Sequence, residues 1–309
     1  MNFKQKKVSN KQSQHTVSQV YLKLFGYVEK STKKYRISVI DKANFLAIEK
    51  VKQFWIPQPC IKSFLAEDNI FKLDCEGETD DCVFEAFSGS VENIFPHIVL
   101  RLNDDGFLHE KDESDLVKFM ALILCKTPRF RSLISEKLKT EYRDYFIEEI
   151  FETYSGNCVE KLEMIECCKV SNYDLNFITL IAWEYVTKLM HRFNFYLLKC
   201  DRGFLTSDCP VMIEGLSIEK RLSDTITDIF FPICPRYAIH MFTNDENHNE
   251  LNRKILDIEE DEKYLSELAE MTILHSYRFI IFPSEFNVKI PIVSNELDIE
   301  NARIKYTPQ

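Results

Sequence analysis

The sequence predicts an α+β fold, a helical body packed on a mainly antiparallel sheet built from both ends of the chain. Strand-like alternation of apolar and polar residues appears near the start and again through the last third. Between these regions, at about 61–193, apolar residues recur at three- and four-residue spacing, as amphipathic helices require. Strands at both ends of a helical middle place the early strand in the late sheet. At 309 residues, 45% of them hydrophobic, the chain can bury a sizeable core. No clear linker divides it, so the expected organisation is a basic flexible tail over 1–14 and one domain over 15–309.

The elements follow in order. The run YRISVID at 35–41 alternates and reads as a strand, closed by Pro57 and Pro59. Phe84, Phe87, Val91, Ile94, Ile98 and Leu102 share a helical stripe, which Pro96 kinks or breaks. Residues 112–126 begin with acids and a candidate Ser114 cap, then run apolar to the Thr127-Pro128 stop. Residues 131–151 and 158–170 read as amphipathic helices, and 174–193 is apolar nearly all round, as a central buried helix would be. A hairpin is expected from 195–199 and 204–207 about the turn at Asp201-Arg202-Gly203. Strands at 228–231, 237–242 and 277–282 and an acidic helix at 259–275 complete the pattern.

Composition excludes several classes of function. The seven glycines never fall in G-x-G spacing and none precedes Lys, so neither a P-loop nor a dinucleotide fingerprint is present, and no nucleotide cofactor is expected. The chain has no H-E-x-x-H, no G-x-S-x-G, and no Arg followed by His after four to six residues. The D-x-K triplet at Asp261-Glu262-Lys263 sits in an acidic helical run and reads as a solvated face. Ten cysteines without a C-x-x-C predict free thiols packed as small hydrophobes and no zinc knuckle. The polar, basic N-terminus and the lack of a bilayer-length apolar run predict a cytoplasmic protein with no membrane partner. Charge is uneven. Residues 1–36 carry nine Lys or Arg against Glu29, a net +8, so the rest of this −10 chain sums to −18. An RNA or DNA partner would therefore approach through the basic N-terminal segment.

Two boxes stand out. HTVSQVYLKLF, from His15 to Phe25, resembles the H-x-V-P-x-x-Y-L-x-x-F opening of a large uncharacterised bacterial family, known only as a domain of unknown function. FLTSDCPV, from Phe204 to Val211, resembles that family's F-x-T-S-D-N-P-V box. Weaker matches fall in the right order: Glu85 and Glu92 on an acidic helix, T-P-x-x-R from Thr127 to Arg131, and FPICP from Phe231 to Pro235. An Asn-bearing helix at Asn252 and the strand at 277–282 follow. The chain departs from the pattern at Ser18 for Pro, Lys126 for Arg, Cys209 for Asn and Cys234 for Ser. The resemblance supplies candidate positions and no reaction.

Each candidate has two readings. His15 is either a ligand or general base, or a histidine that bonds backbone and pins the N-terminus. Asp208 is either a strand-end carboxylate for catalysis or metal binding, or an Asx-turn residue capping its own loop with Ser207. Ser207 lacks a local His to activate it, which leaves it a substrate contact. Glu85 and Glu92 lie seven apart on one helix face, roughly 10 Å along the axis at 1.5 Å per residue. Either one ligates while the other orients or binds substrate, or both belong to a solvated helical face. Arg129 and Arg131 would clamp a phosphate or pair with acids such as Glu136, and the resemblance adds Asn252 as a substrate contact.

These residues support two functions. One is a metal-assisted phosphodiester hydrolase, a nuclease-like toxin or phage-defence effector. It would use His15, Asp208 and Glu85 as catalytic groups, with His15, Glu92 and Asp208 holding Mg²⁺ or Mn²⁺. The alternative is a non-enzymatic binding or regulatory module in which the same boxes are structural.

Overall fold

The computed structural model describes residues 13–45, 57–68, 70–71, 73–75, 78–80, 83–153, 158–170, 175–243 and 255–283. The chain opens with β1 (Ser13–His15), α1 (Gln19–Phe25), β2 (Tyr27–Val28), β3 (Tyr35–Arg36), β4 (Ser38–Asp41) and the one-turn helix α2 (Lys42–Phe45). Short strands β5 (Ala66–Asp68), β6 (Leu73–Cys75) and β7 (Glu78–Asp80) precede a run of helices. These are α3 (Val83–Glu92), α4 (Phe95–Asp105), α5 (Glu110–Lys126), α6 (Pro128–Lys137), α7 (Arg143–Phe151), α8 (Cys158–Val170) and α9 (Leu175–Met190). The last third holds β8 (Asn194–Lys199), β9 (Thr206–Ser207), β10 (Met212–Ile213), α10 (Leu222–Thr225), β11 (Asp228–Pro232) and β12 (Tyr237–Phe242). After these come β13 (Ile255–Asp257), α11 (Glu262–His275) and β14 (Phe279–Phe282).

The fold is α+β with mainly antiparallel sheets. The largest sheet has the order β10-β11-β12-β8-β13, antiparallel except where β13 runs parallel to β8. Both of its faces are covered. Leu197, Ile229, Phe231, Ile239 and Met241 join the core formed with the helices, while Leu198, Met212, Phe230 and Ala238 pack with Leu268 of α11. A second sheet, β4-β14-β9, joins the early strand to the last one: Val39 pairs with Ile281 and Ile40 with Ile280. The sheet built from both chain ends is therefore present. The rings of Tyr21, Phe95, Phe119 and Phe231 meet between α1, α4, α5 and β11 and weld helices to sheet. Cys125, Cys168, Cys200, Cys209 and Cys234 are buried free thiols.

Four local expectations need correction. The described residues of 61–80 are turns and short strands where helix was expected, because β5 pairs with β1 and β6 with β7. The expected hairpin about Gly203 does not form. The Phe204 N–H bonds Pro235 O instead, and the chain crosses to β14, where Thr206 and Ser207 pair with Ile281 and Ile280. The helical stripe does break at Pro96 as expected, with Pro96 in the first turn of α4, where a missing N–H costs nothing. Ser114 lies inside α5, which starts four residues earlier behind His109, and its buried first-turn Asp112 receives a bidentate Arg101. The helix expected over 131–151 is two, α6 and α7. Thr127 serves both neighbours at the α5–α6 corner: its hydroxyl donates to Leu124 O at 2.7 Å and accepts from the Phe130 N–H at 3.4 Å.

Ser18 precedes α1 with φ −53° and ψ 133°, and its hydroxyl oxygen is buried without a partner among the described residues. That backbone suits proline, and replacing the orphaned hydroxyl removes a desolvation cost. Ser18→Pro is expected to stabilise the protein by about 0.5–1 kcal/mol in urea denaturation, chiefly by restricting the unfolded chain.

Candidate functional site

Two polar clusters account for the singled-out residues. The first forms where β1, the last residue of α3, the end of α5 and the starts of α6 and α9 come together. His15 ends β1, and its Nε2 lies 3.3 Å from Ile61 O. A carbonyl only accepts, so Nε2 carries the proton and Nδ1 accepts from Gln19 Nε2 at 3.3 Å. Both ring nitrogens are thus engaged. Burial, opposed by the Ile61 bond and reinforced by the Lys126 charge, lowers the imidazole's pKa below its usual 6.5. Neighbouring Gln14 accepts the Phe71 N–H at 2.7 Å.

Beside His15, Lys126 Nζ donates to Glu92 Oε1 at 2.9 Å. The lysine side chain is 4% exposed and the glutamate 19%, so the ammonium is buried and the carboxylate reaches solvent. The ammonium also lies 5.2 Å from the Phe71 ring centroid, and the Arg131 guanidinium lies 5.1 Å from the same ring. Arg131 donates to Asn176 Oδ1 at 2.8 Å and reaches Ile70 O at 3.5 Å. Glu85 lies on α3 with Glu92, its side chain outside the described residues. Asn252 also lies outside them. Lys126, Asn176 and Phe71 were not singled out as site residues. Only the charge of Lys126 before Thr127-Pro128 was a usable signal.

The second cluster surrounds the C-terminal end of α11, where Ser276 is buried. Asp208 is 1% exposed, and its carboxylate accepts three backbone N–H groups. Oδ1 takes Tyr277 at 2.8 Å, and Oδ2 takes Arg278 at 2.7 Å and Phe279 at 3.0 Å. Burial pushes the carboxyl up to about 6, against the three amides and the Lys42 charge, so it is ionised at neutral pH. Lys42 Nζ donates to Leu274 O at 2.7 Å and Ser276 O at 2.9 Å, and burial holds it down at about 8. Arg129 donates to both Nδ1 and O of His275, each at 3.0 Å. Ser207 Oγ accepts the Cys209 N–H at 3.1 Å. Thr127, Arg129, Cys209 and His275 line a small cavity here.

The structure therefore separates residues expected to act together. His15 and Glu92 belong to the first cluster, and Asp208, Ser207 and Arg129 to the second. Arg129 and Arg131, two apart on α6, point in different directions. The expected His15–Glu92–Asp208 metal set is not gathered, and among the described residues no three His, Cys, Asp or Glu come together to hold an ion. The reason is geometric: Asp208's oxygens are committed to three amides 69 to 71 residues downstream. Its partners also lie outside its own loop, which corrects the Asx-turn expectation. The Asp261-Glu262-Lys263 triplet opens α11, with Asp261 Oδ1 accepting the Tyr264 N–H at 3.0 Å as an N-cap. No helix among the described residues is long and apolar enough to cross a membrane.

The chain is an α+β protein, a helical body closed by a sheet from both chain ends, with its polar boxes sorted into two clusters. The family model for proteins of unknown function DUF4238 matches residues 13–286, and the chain belongs to that family. No curated protein and no solved structure matches it.

Two outcomes test these assignments. Asp208→Asn keeps one acceptor oxygen and turns an NH₂ toward N–H donors, so it should cost about 1–3 kcal/mol by chemical denaturation, and Asp208→Ala about 3–5 kcal/mol. His15 has a folded pKa below its unfolded value. Its contribution is complete above pH 6.5 and is lost as pH falls through 6.5 toward the lower folded value. The wild-type advantage over His15→Gln in urea midpoint should therefore shrink from pH 8 to pH 5.

Proposed function

We propose that this protein is a phosphodiester hydrolase acting on RNA or DNA at the His15–Glu92–Lys126–Arg131 cluster. The observation that carries this reading is the Glu92–Lys126 pair, a buried cation beside a solvent-reaching carboxylate, with a second cation on the same aromatic ring. Phosphoryl transfer needs positive charge near the non-bridging oxygens and a group to take a proton from the nucleophile. Lys126 and Arg131 supply the first and Glu92 the second. Lys4, Lys6, Lys7 and Lys11 of the +8 segment over residues 1–36 precede β1 in the sequence and would deliver a polyanion to this end of the molecule. A nuclease of this kind would suit a toxin or phage-defence effector.

The alternative, a binding module without turnover, is favoured by the saturation of His15, whose two ring nitrogens are both bonded. Cleavage of labelled RNA and DNA by purified protein separates the two. Glu92→Gln should lower the cleavage rate about 10²-fold or more, and Lys126→Ala should weaken both rate and binding, with melting temperatures recorded on the same samples. Binding without cleavage by the wild type would establish the module, and neither binding nor cleavage would remove both readings.

A further inference from the structure

Resting on the hydrolase reading, we infer that the substrate is RNA and that the attacking group is the 2′-hydroxyl beside the scissile phosphate. The argument is one of unfilled hydrogen-bonding capacity. Glu92 Oε1 is taken by Lys126, whereas Oε2 has no hydrogen-bond partner among the described residues. An ammonium has three donors, and Glu92 is the one hydrogen-bond acceptor Lys126 finds among the described residues. What remains is one carboxylate oxygen on a side chain 19% exposed, beside two N–H donors on a lysine 4% exposed. That set fits a ligand carrying an O–H donor next to an anionic acceptor. Ribose supplies this pair at every phosphodiester, through its 2′-hydroxyl and the adjoining phosphate, and DNA lacks the donor. His15 does not compete for the proton, because Nε2 donates to Ile61 O and Nδ1 accepts from Gln19.

The step balances without a co-reactant. Glu92 takes the proton from the 2′-hydroxyl and the 2′-oxygen forms a bond to phosphorus. The bond from phosphorus to the 5′-oxygen then breaks, and that oxygen takes a proton from water. Lys126 donates to a non-bridging oxygen as charge accumulates there. Glu92 returns its proton to solvent, leaving a 2′,3′-cyclic phosphate and a 5′-hydroxyl.

The test uses the full chain on three oligonucleotides of one sequence: RNA, DNA, and RNA with a single 2′-deoxy nucleotide at the mapped cleavage position. RNA should be cut to cyclic-phosphate and 5′-hydroxyl ends, while DNA and the deoxy position should be cut at least about 10²-fold more slowly. Glu92→Asp should retain more rate than Glu92→Gln at matched melting temperature. Comparable cleavage of DNA, or RNA products with 5′-phosphate ends, would overturn the inference and leave the hydrolase reading standing. No cleavage of any oligonucleotide would overturn both.

Discussion

Helix α11 ends against two buried charged side chains, Lys42 and Asp208, and much of the polar interior is a response to that end. A helix end leaves carbonyls without intrahelical partners, and the turn after it leaves N–H groups likewise. Buried away from water, each would cost about 1–3 kcal/mol unless bonded. Lys42 and Arg129 satisfy the carbonyls of Leu274, His275 and Ser276, as cations at the negative end of the helix dipole. Asp208 satisfies the three N–H groups that follow, and the strand that begins there is β14. Lys42 follows β4 and Asp208 follows β9, so the same helix end sets both neighbours of β14. Charges of opposite sign are needed here together. Removing either leaves the other buried and uncompensated.

A second tie explains why distant boxes share one fold. The Tyr21 hydroxyl donates to Pro232 O at 2.8 Å, so the Thr206 hydroxyl donates to it, at 2.6 Å. Tyr21 comes from the HTVSQVYLKLF box, Thr206 from FLTSDCPV and Pro232 from FPICP. Three boxes thus meet at one fully buried phenol, whose pKa burial raises. Groups closed in this way are committed to the fold. The ends of α3 and α5 differ, because there a carboxylate oxygen and ammonium hydrogens have no partner among the described residues. Function is assigned to the cluster with capacity left over.

How much of this was legible follows from range. Thr127-Pro128 ended α5 as expected, since capping and proline chemistry act within three residues. β12 was read to the residue, and the β4–β14 pairing followed from strands at both ends. The hairpin at Gly203 was read wrongly because a turn signal gives the bend and not the partner. Here the Pro235 and Arg236 carbonyls capture the backbone N–H groups of Phe204 and Cys200 on either side of it. His15 and Asp208 were legible as special, but their roles depended on Ile61 O and the amides of 277–279. Backbone groups carry no residue identity, so such partners leave no trace in a sequence.

The departures from the box pattern that the sequence resembles sort by cluster. Ser18, Cys209 and Cys234 replace box residues at buried positions, and burial holds both thiols above their usual range, protonated and inert. Lys126 is the departure that falls in the open cluster, and it conserves charge while changing shape. A guanidinium at that position would offer Glu92 a planar fork and engage both carboxylate oxygens. An ammonium is a point charge that bonds one oxygen and leaves the other open, as Glu92 Oε2 is left among the described residues. Lysine at 126 therefore keeps the carboxylate available as a proton acceptor while still holding it in place, and the availability of that single oxygen is what the proposed chemistry requires.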